Sequence, residues 1–163
     1  KWTYWKEDGG RYLEESYKEG VKNGLMIGWY PNGNKSLEQG WKDDIRDGVF
    51  IAWYEDGQKK QEGNFVNDIK EGKMTYWYVD GKKWLEETYK DGKKSGKVTG
   101  YYPNGLKRMQ EHWKDGTKDG QYFQWFGNGK EKIVGNYKDG KEAGKWFEYN
   151  KEGEIERIAN YDE

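Results

Sequence analysis

The sequence has no cysteine, one histidine and two prolines, and it contains no long run of apolar residues. Without cysteine there can be no disulfide and no thiolate metal site. A single histidine does not build a usual zinc site on its own. No stretch approaches the roughly 20 apolar residues that a membrane-spanning helix needs. We therefore expect no metal and no cofactor in this protein.

An excess of one charge is also missing, because 29 Lys and Arg stand against 30 Asp and Glu. Proteins that bind nucleic acid usually carry a basic excess or a one-sided basic cluster. A polybasic membrane anchor needs such a cluster as well. The charge balance predicts no nucleic-acid partner and gives a membrane contact only weak support.

Aliphatic residues are scarce, whereas aromatic residues are abundant. Charged residues make up 36% of the chain and hydrophobic ones 33%, which on aliphatic content alone would indicate disorder. The chain nevertheless has 10 Trp, 14 Tyr and 5 Phe, and each aromatic side chain can bury about 150–250 Å². These aromatics predict a folded chain without a thick aliphatic core.

Glycines recur with a period of 24 residues. Thirteen of the 24 glycines fall into two columns nine residues apart. The two columns are Gly24, Gly48, Gly72, Gly96, Gly120 and Gly144, and Gly9, Gly33, Gly57, Gly81, Gly105, Gly129 and Gly153. A fixed period of this length is typical of repeat architectures.

Aromatic residues keep the same period in three columns. The first is Trp5, Trp29, Trp53, Trp77, Tyr101, Trp125 and Tyr149, and the second is Tyr30, Tyr54, Tyr78, Tyr102 and Phe126. The third is Tyr17, Trp41, Phe65, Tyr89, Trp113, Tyr137 and Tyr161. The pattern predicts seven units, at about 1–23, 24–47, 48–71, 72–95, 96–119, 120–143 and 144–163, which form a single domain over 1–163.

Each unit has the pattern of a β-hairpin. The turn after Tyr30 is Pro31-Asn32-Gly33, and turns such as Asp91-Gly92 close the units. Asn-Gly and Asp-Gly are strong hairpin signals because glycine accepts positive φ. We predict an all-β fold of tandem hairpins in one elongated, twisted antiparallel meander sheet. Its edge strands would lie near Trp2–Trp5 and Ile155–Tyr161, which leaves an end-to-end dimer open as one form of association.

The length of the hairpin loop decides which side chains share a face. A three-residue loop with a type I turn would place Trp29 and Leu37 on one face and Tyr30 on the other. A two-residue loop would instead pair Leu37 with Gly28 and put Tyr30 on that face. We favour the three-residue loop.

Catalytic groups are hard to find in this pattern. His112 is the only histidine, and it occupies a strand column that holds Ser, Gly, Asn or Thr in other units. The carboxylates Glu14, Glu38, Glu62 and Glu86 recur at the period and so indicate a solvated column rather than one acid–base pair. The glycines mark periodic turns and no phosphate-binding loop. We expect no enzymatic activity.

The repeated pattern Gly-x4-Trp-Tyr-Pro-Asn-Gly-x7-Trp-Lys-Asp resembles the MORN repeat. Residues 96–119 are a typical unit. The pattern is most similar to the bacterial variant, which is found in proteins often classed as antitoxins of toxin–antitoxin systems. Choline-binding modules also place aromatic pairs before a glycine turn, but their units are shorter and less charged.

The resemblance implies a non-catalytic, protein-binding module of the antitoxin or immunity type, which occludes a protein partner such as a toxin. The alternative is a membrane-associated or cell-surface scaffold, or a carbohydrate-binding module that uses aromatic platforms. The first residue is Lys1, so both the bacterial cytoplasm and, if a leader was removed, the cell envelope stay open. The candidate partner-binding residues are Trp29, Trp53, Trp77, Tyr101 and Trp125, with Tyr30, Tyr54, Tyr78 and Tyr102 beside them.

Overall fold

A computed structural model describes residues 1–161, which contain strands and turns but no helix. The last predicted repeat, 144–163, extends two residues beyond this described part. The chain forms two compact units, Lys1–Gly81 and Lys82–Glu163. The prediction of an all-β fold of antiparallel hairpins is confirmed within each of them.

The first unit is an antiparallel meander with a small ribbon beside it. Its strands are β1 (Trp2–Trp5), β2 (Arg11–Glu15), β3 (Tyr17–Lys18), β4 (Val21–Lys22), β5 (Gly24–Trp29), β6 (Lys35–Lys42), β7 (Ile45–Trp53), β8 (Lys59–Val66) and β9 (Ile69–Trp77). The sheet order is β1-β2-β5-β6-β7-β8-β9, and β3 pairs with β4 separately. Strands that follow one another along this order are therefore neighbours in the sheet.

The second unit is also an antiparallel meander. Its strands are β10 (Lys83–Lys90), β11 (Lys93–Lys94), β12 (Gly96–Tyr101), β13 (Lys107–Lys114), β14 (Thr117–Trp125), β15 (Glu131–Lys138), β16 (Lys141–Tyr149) and β17 (Ile155–Tyr161). The sheet order is β10-β12-β13-β14-β15-β16-β17, and β11 pairs with β10. Among the described strands β1 pairs only with β2 and β17 only with β16, so the two predicted edge strands are confirmed.

The hairpin loop has the predicted three residues. The Tyr30 amide donates to the Asn34 carbonyl at 2.8 Å, and the Gly33 amide donates to the Tyr30 carbonyl at 3.0 Å. Gly33 has φ of 87°, in the left-handed region that glycine accepts without steric cost. Equivalent pairs of bonds close the loops at Gly57, Gly105, Gly129 and Gly153.

The pairing predicted for Leu37 was wrong, because the hairpin contains a second irregularity. Trp29 pairs with Lys35, but Gly28 pairs with Leu37, so Ser36 is an extra residue in its strand. A one-residue bulge reverses the alternation of side chains that follows it. The three-residue loop is thus combined with the Leu37–Gly28 pair that we had expected only from a two-residue loop. The same shift recurs at Trp53, Tyr101 and Trp125.

Two-residue turns close the opposite end of the hairpins. Asp43 and Asp44 have φ of 50° and 63°, and Asp91 and Gly92 have φ of 49° and 75°. Positive φ at both central residues is typical of the type I′ turn, whose twist matches that of the flanking strands. The predicted Asp-Gly turns are therefore confirmed.

Within each unit the core is thin and runs as a row across the strands. Its buried apolar side chains include Met74 (0% exposed), Val98 and Trp146. The register places Val98 opposite Glu111, and Phe50 opposite Gly63. Large apolar side chains therefore alternate along the row with Gln39 and Gly63 in the first unit, and with Glu87, Glu111 and Gly135 in the second. At Gly63 and Gly135 an added Cβ atom would overlap Met74 and Trp146, respectively.

Candidate functional site

The predicted tryptophan column forms a repeated feature at one end of the strands. Its members are the last residues of β5, β7, β9, β12 and β14, namely Trp29, Trp53, Trp77, Tyr101 and Trp125. The tyrosines that follow, Tyr30, Tyr54, Tyr78 and Tyr102, are the next residues of the chain. All nine side chains are half-buried. We call the first column the tryptophan ladder and the second the tyrosine column.

The tyrosine column connects successive repeats. The Tyr30 hydroxyl donates to the Trp53 carbonyl at 2.7 Å, and the Tyr54 hydroxyl donates to the Trp77 carbonyl at 2.8 Å. In the second unit the Tyr102 hydroxyl donates to the carbonyl of Trp125 at 2.8 Å. These hydroxyls satisfy backbone acceptors, so a partner could contact this column mainly through its rings.

The hairpin loops are linked in the same direction. The Asn32 amide group donates to the Glu55 carbonyl at 2.6 Å, and the Asn104 amide group donates to that of Gly127 at 2.7 Å. The Lys130 ammonium group donates to the Glu152 carbonyl at 2.9 Å. Because the acceptors belong to the backbone, these bonds fix the spacing of neighbouring loops and of the aromatic residues that precede them.

A cation from the preceding hairpin covers most members of the tryptophan ladder. The Arg11 guanidinium lies 4.8 Å from the ring centre of Trp29, and the Lys35 ammonium lies 5.6 Å from that of Trp53. Lys59 and Lys107 lie at 5.8 Å and 5.6 Å from the rings of Trp77 and Trp125. A cation over an aromatic face contributes about 0.5–1 kcal/mol at exposed sites.

Three of these four cations, Arg11, Lys35 and Lys59, form ion pairs with the periodic carboxylates. Lys35 pairs with Glu38 at 2.8 Å, Lys83 pairs with Glu86 at 2.8 Å, and Lys59 pairs with Glu62. The carboxylate column therefore forms ion pairs, as a structural column would, and the paired Lys35 and Lys59 lie above the indoles of Trp53 and Trp77. The tryptophan ladder and its cations thus present aromatic, positive and negative groups in a fixed order.

Glu86 also binds the tyrosine that replaces tryptophan in this ladder. The Tyr101 hydroxyl donates to Glu86 at 2.7 Å. Burial of the phenol, followed by this bond to a carboxylate, raises the pKa of Tyr101 to about 12. Tyr101 therefore stays neutral at physiological pH and keeps its donor directed at Glu86.

A second set of ion pairs, which the sequence analysis missed, lies within single repeats, close to the two-residue turns. Glu15 pairs with Lys22 at 2.8 Å, Glu87 with Lys94 at 2.6 Å, and Glu111 with Lys118 at 2.7 Å. All three carboxylates are buried. The available signal was that the three carboxylates share one column of the repeat and that their lysines share another.

Each of these lysines also covers an aromatic residue of the next repeat. Lys22 lies 5.0 Å from the ring centre of Trp41, Lys94 lies 5.1 Å from that of Trp113, and Lys118 lies 4.9 Å from that of Tyr137. The third aromatic column of the sequence is therefore engaged by cations of the scaffold. Cations lie over both the third column and the tryptophan ladder, but Phe65 of the third column is buried, whereas all five members of the tryptophan ladder are half-buried.

The pKa values of these groups reflect the pairing. The bond from Lys22 lowers the pKa of Glu15 against the opposing effect of burial. Burial by itself lowers the pKa of Lys118, but its bond to Glu111 and the charges of Glu111 and nearby tyrosines outweigh it, so the pKa is raised. Glu15 and Lys118 are therefore both charged at neutral pH, as each must be to form an ion pair with its own partner.

His112 lies on strand β13, with Nδ1 3.1 Å from the Gln121 carbonyl oxygen. This contact to the backbone of the neighbouring strand is what a structural histidine makes. Across residues 1–161, no group of three or more His, Asp or Glu side chains is placed to hold a metal ion.

The family model described as MORN repeat variant matches residues 46–67 and 70–91. These two segments of the chain are similar to MORN repeats. No curated protein is similar enough to this chain to count as a match. MORN repeats generally serve as modules that bind proteins or membranes, and they are not typical of an enzyme family. The part of the chain that the structure describes has no helix long and apolar enough to cross a membrane.

Proposed function

We propose that this MORN-repeat chain is a non-catalytic module of the antitoxin or immunity type, which binds a protein partner and occludes it. The observation that carries the proposal is the tryptophan ladder, in which half-buried aromatic side chains recur at the same repeat position in both units. Tryptophan, tyrosine and arginine are the residues that most often dominate the energetics of protein interfaces. The chain offers a toxin a preformed set of such anchors.

The ladder is well suited to binding because its side chains are already fixed. The cationic groups of Arg11, Lys35 and Lys59 lie over one face of the indoles, and carboxylates form ion pairs with these cations. A side chain that is ordered before binding loses less conformational entropy on association. We propose Trp29, Trp53, Trp77, Tyr101 and Trp125 as the main contacts, flanked by the rings of the tyrosine column.

We further propose that residues 1–163 act as one domain of seven repeat units. In support, the same contacts between successive repeats recur within each compact unit. The bond from Tyr30 to Trp53 in the first unit has its counterpart in the bond from Tyr102 to Trp125 in the second. Heating the chain should then give one calorimetric transition, whereas two separate transitions would contradict a single domain.

The binding proposal is tested by an affinity pull-down from the lysate of the native organism. The wild-type chain should capture one protein in stoichiometric amount. Trp53→Ala should weaken this binding at least tenfold, because truncation of an interface anchor commonly costs about 2 kcal/mol or more. Trp2→Ala is the matched control, since Trp2 is exposed and lies outside the ladder; this variant should capture the partner as the wild type does.

If the chain is an antitoxin, the captured protein should be toxic. Expressed alone, the partner should stop growth, and co-expression of the wild-type chain should restore it. Co-expression of Trp53→Ala should restore growth less well. A captured protein that is harmless when expressed alone would contradict the antitoxin role and leave the binding module, whereas capture of no protein would contradict both.

The half-exposed indoles also favour a second candidate, a carbohydrate-binding or membrane-associated scaffold at the cell surface. Aromatic faces stack on sugar rings as well as on protein side chains. Wall glycans should then quench the tryptophan fluorescence of the wild type more than that of Trp53→Ala. Co-sedimentation with anionic liposomes tests the membrane version, and salt-sensitive binding would support it.

A further inference from the structure

Each of the two edge strands carries exposed large apolar side chains. Trp2 and Trp5 on β1 are 64% and 60% exposed, and Ile155 and Ile158 on β17 are 53% and 56% exposed. Both strands are paired on one side only among the described residues. Unpaired edges with apolar side chains are templates for the addition of another strand.

Residues at equivalent repeat positions show what Trp2 lacks. Trp146, six periods later, is only 7% exposed. Its ring packs edge-on against Tyr137 at 5.1 Å between ring centres, and Tyr137 belongs to β15, the strand that precedes and pairs with β16. Trp2 occupies the same position on β1, which pairs only with β2 among the described residues. Its exposure is therefore that of a core position that no described strand covers.

Trp5 lacks its cover in the same way. It is equivalent to Trp53 and Trp125, which are covered by Lys35 and Lys107 from the preceding hairpin. Each of these lysines is the first residue of its strand, β6 or β13. A strand that begins with a residue suited to cover an indole would complete β1.

Strand β17 supplies the residues that β1 lacks. Ile155 is the first residue of β17 and stands where Lys35 and Lys107 stand, with an apolar side chain instead of a cation. Tyr161 stands where Tyr137 stands, and it is 39% exposed. Ile158 is the repeat equivalent of Val134, and Val134 pairs with Phe147 of the following strand. The unpaired edge of β17 thus carries side chains at the positions from which, inside the sheet, a strand contacts the strand that follows it.

We propose that β17 of one copy of this chain pairs antiparallel with β1 of a second copy, in the register of the inner strand pairs. Transferring the β15–β16 register to the equivalent positions places Ile158 opposite Thr3, and Arg157 opposite Tyr4. In this register Tyr161 packs against Trp2, and Ile155 covers Trp5. The surface differs from the tryptophan ladder, and the association does not depend on the proposed function.

This contact is heterologous, because two different strands meet. Each dimer therefore keeps one free β1 and one free β17, and association continues beyond the dimer. A symmetric contact between two β1 strands or two β17 strands would instead stop at the dimer. The stoichiometry consequently distinguishes the proposed contact from its symmetric alternatives.

Sedimentation velocity of the 163-residue chain over a range of concentrations is the first measurement. The weight-average sedimentation coefficient should rise with concentration and pass that of a dimer. Trp2→Glu disables β1 and Ile158→Lys disables β17, since an inward charge blocks edge pairing. Each variant alone should remain monomeric where the wild type associates, and thermal unfolding should show that each is folded.

The decisive measurement mixes the two variants. Trp2→Glu keeps an intact β17 and Ile158→Lys keeps an intact β1, so the mixture should form a 1:1 dimer and nothing larger. Leu106→Lys, at an exposed loop position away from both edges, should associate like the wild type. A wild type that is monomeric at all concentrations, a single edge variant that still dimerises, or a mixture that stays monomeric would overturn the proposal.

Discussion

The hydroxyl of Tyr30 donates a hydrogen bond to the main-chain carbonyl of Trp53, 23 residues later, at 2.7 Å. The two residues belong to successive hairpins, so the bond joins repeats rather than residues of one repeat. This carbonyl belongs to the last residue of β7, where the chain turns into the loop. Repeats are thus connected by side-chain bonds to the backbone as well as by strand pairing.

Loss of one such bond should lower stability measurably. In Tyr54→Phe the ring stays and the hydroxyl that donates to Trp77 at 2.8 Å is removed. A net cost of about 0.5–1.5 kcal/mol is expected for one hydrogen bond. Urea unfolding followed by tryptophan fluorescence measures it. Tyr12→Phe, at an exposed ring, is the control, and an equal loss in both variants would contradict the structural role of the bond.

A methyl group at Gly63 should destabilise the core row. A Cβ atom there would overlap the Met74 side chain, which is fully buried. Overpacking of this kind costs about 1–3 kcal/mol. Adding Met74→Val, the residue type of the equivalent Val98, should recover part of the loss. Gly127→Ala is the matched control because its Cβ would meet open space. Additive effects of Gly63→Ala and Met74→Val would contradict the overlap.

Gly127→Pro should stabilise the chain by about 0.4–1 kcal/mol, because proline reduces the entropy of the unfolded state. The equivalent loop positions are occupied by Pro31 and Pro103, so this backbone conformation accepts proline. The thermal midpoint measures the gain. Gly129→Ala in the same loop should instead lower the midpoint, since Gly129 has φ of 86°. A lower midpoint for Gly127→Pro would show that its loop differs from the other two.

The ion pair of Glu15 should contribute to acid unfolding. Lys22 lowers the pKa of this buried carboxyl group, so the proton binds the unfolded state more readily than the folded one. The contribution to stability is therefore complete above about pH 4.5, the unfolded value, and is lost as the pH falls through the lower folded value.

Glu15→Gln removes this titration. The urea midpoint of the variant should fall less than that of the wild type between about pH 5 and pH 2. Glu7→Gln, at an exposed turn, should keep the wild-type dependence. Parallel curves for Glu15→Gln and the wild type would contradict the role of the Glu15–Lys22 pair.

Local signals in the sequence were sufficient for the repeat, the hairpins, both turn types and the edge strands. Asn-Gly and Asp-Gly pairs constrain the backbone over a few residues, and that constraint is visible in the residues themselves. The bulge at Ser36 leaves no such mark, because any residue can occupy it. The predicted partner of Leu37 was therefore wrong, although the predicted length of the neighbouring loop was correct.

In the candidate site, too, some features could be predicted from the sequence and others could not. The positions of Trp29 and Trp53 in a column follow from the period alone. Their covering cations, Arg11 and Lys35, belong to the preceding hairpin and meet them only once the register between hairpins is fixed. The Glu87–Lys94 pair depends equally on where the neighbouring strand lies. Contacts that depend on the register between strands were therefore visible only in the structure, whereas contacts within turns could be predicted from the sequence.

The bonds from the tyrosine column end on carbonyl oxygens, and every amino acid provides a carbonyl oxygen. A repeat that receives such a bond can therefore change its own side chain at the acceptor position without losing the connection. Duplication or deletion of one whole repeat would still bring a donor to an acceptor. Such a gene can lengthen, shorten or exchange whole repeats in evolution, while the outward residues of each repeat diversify independently.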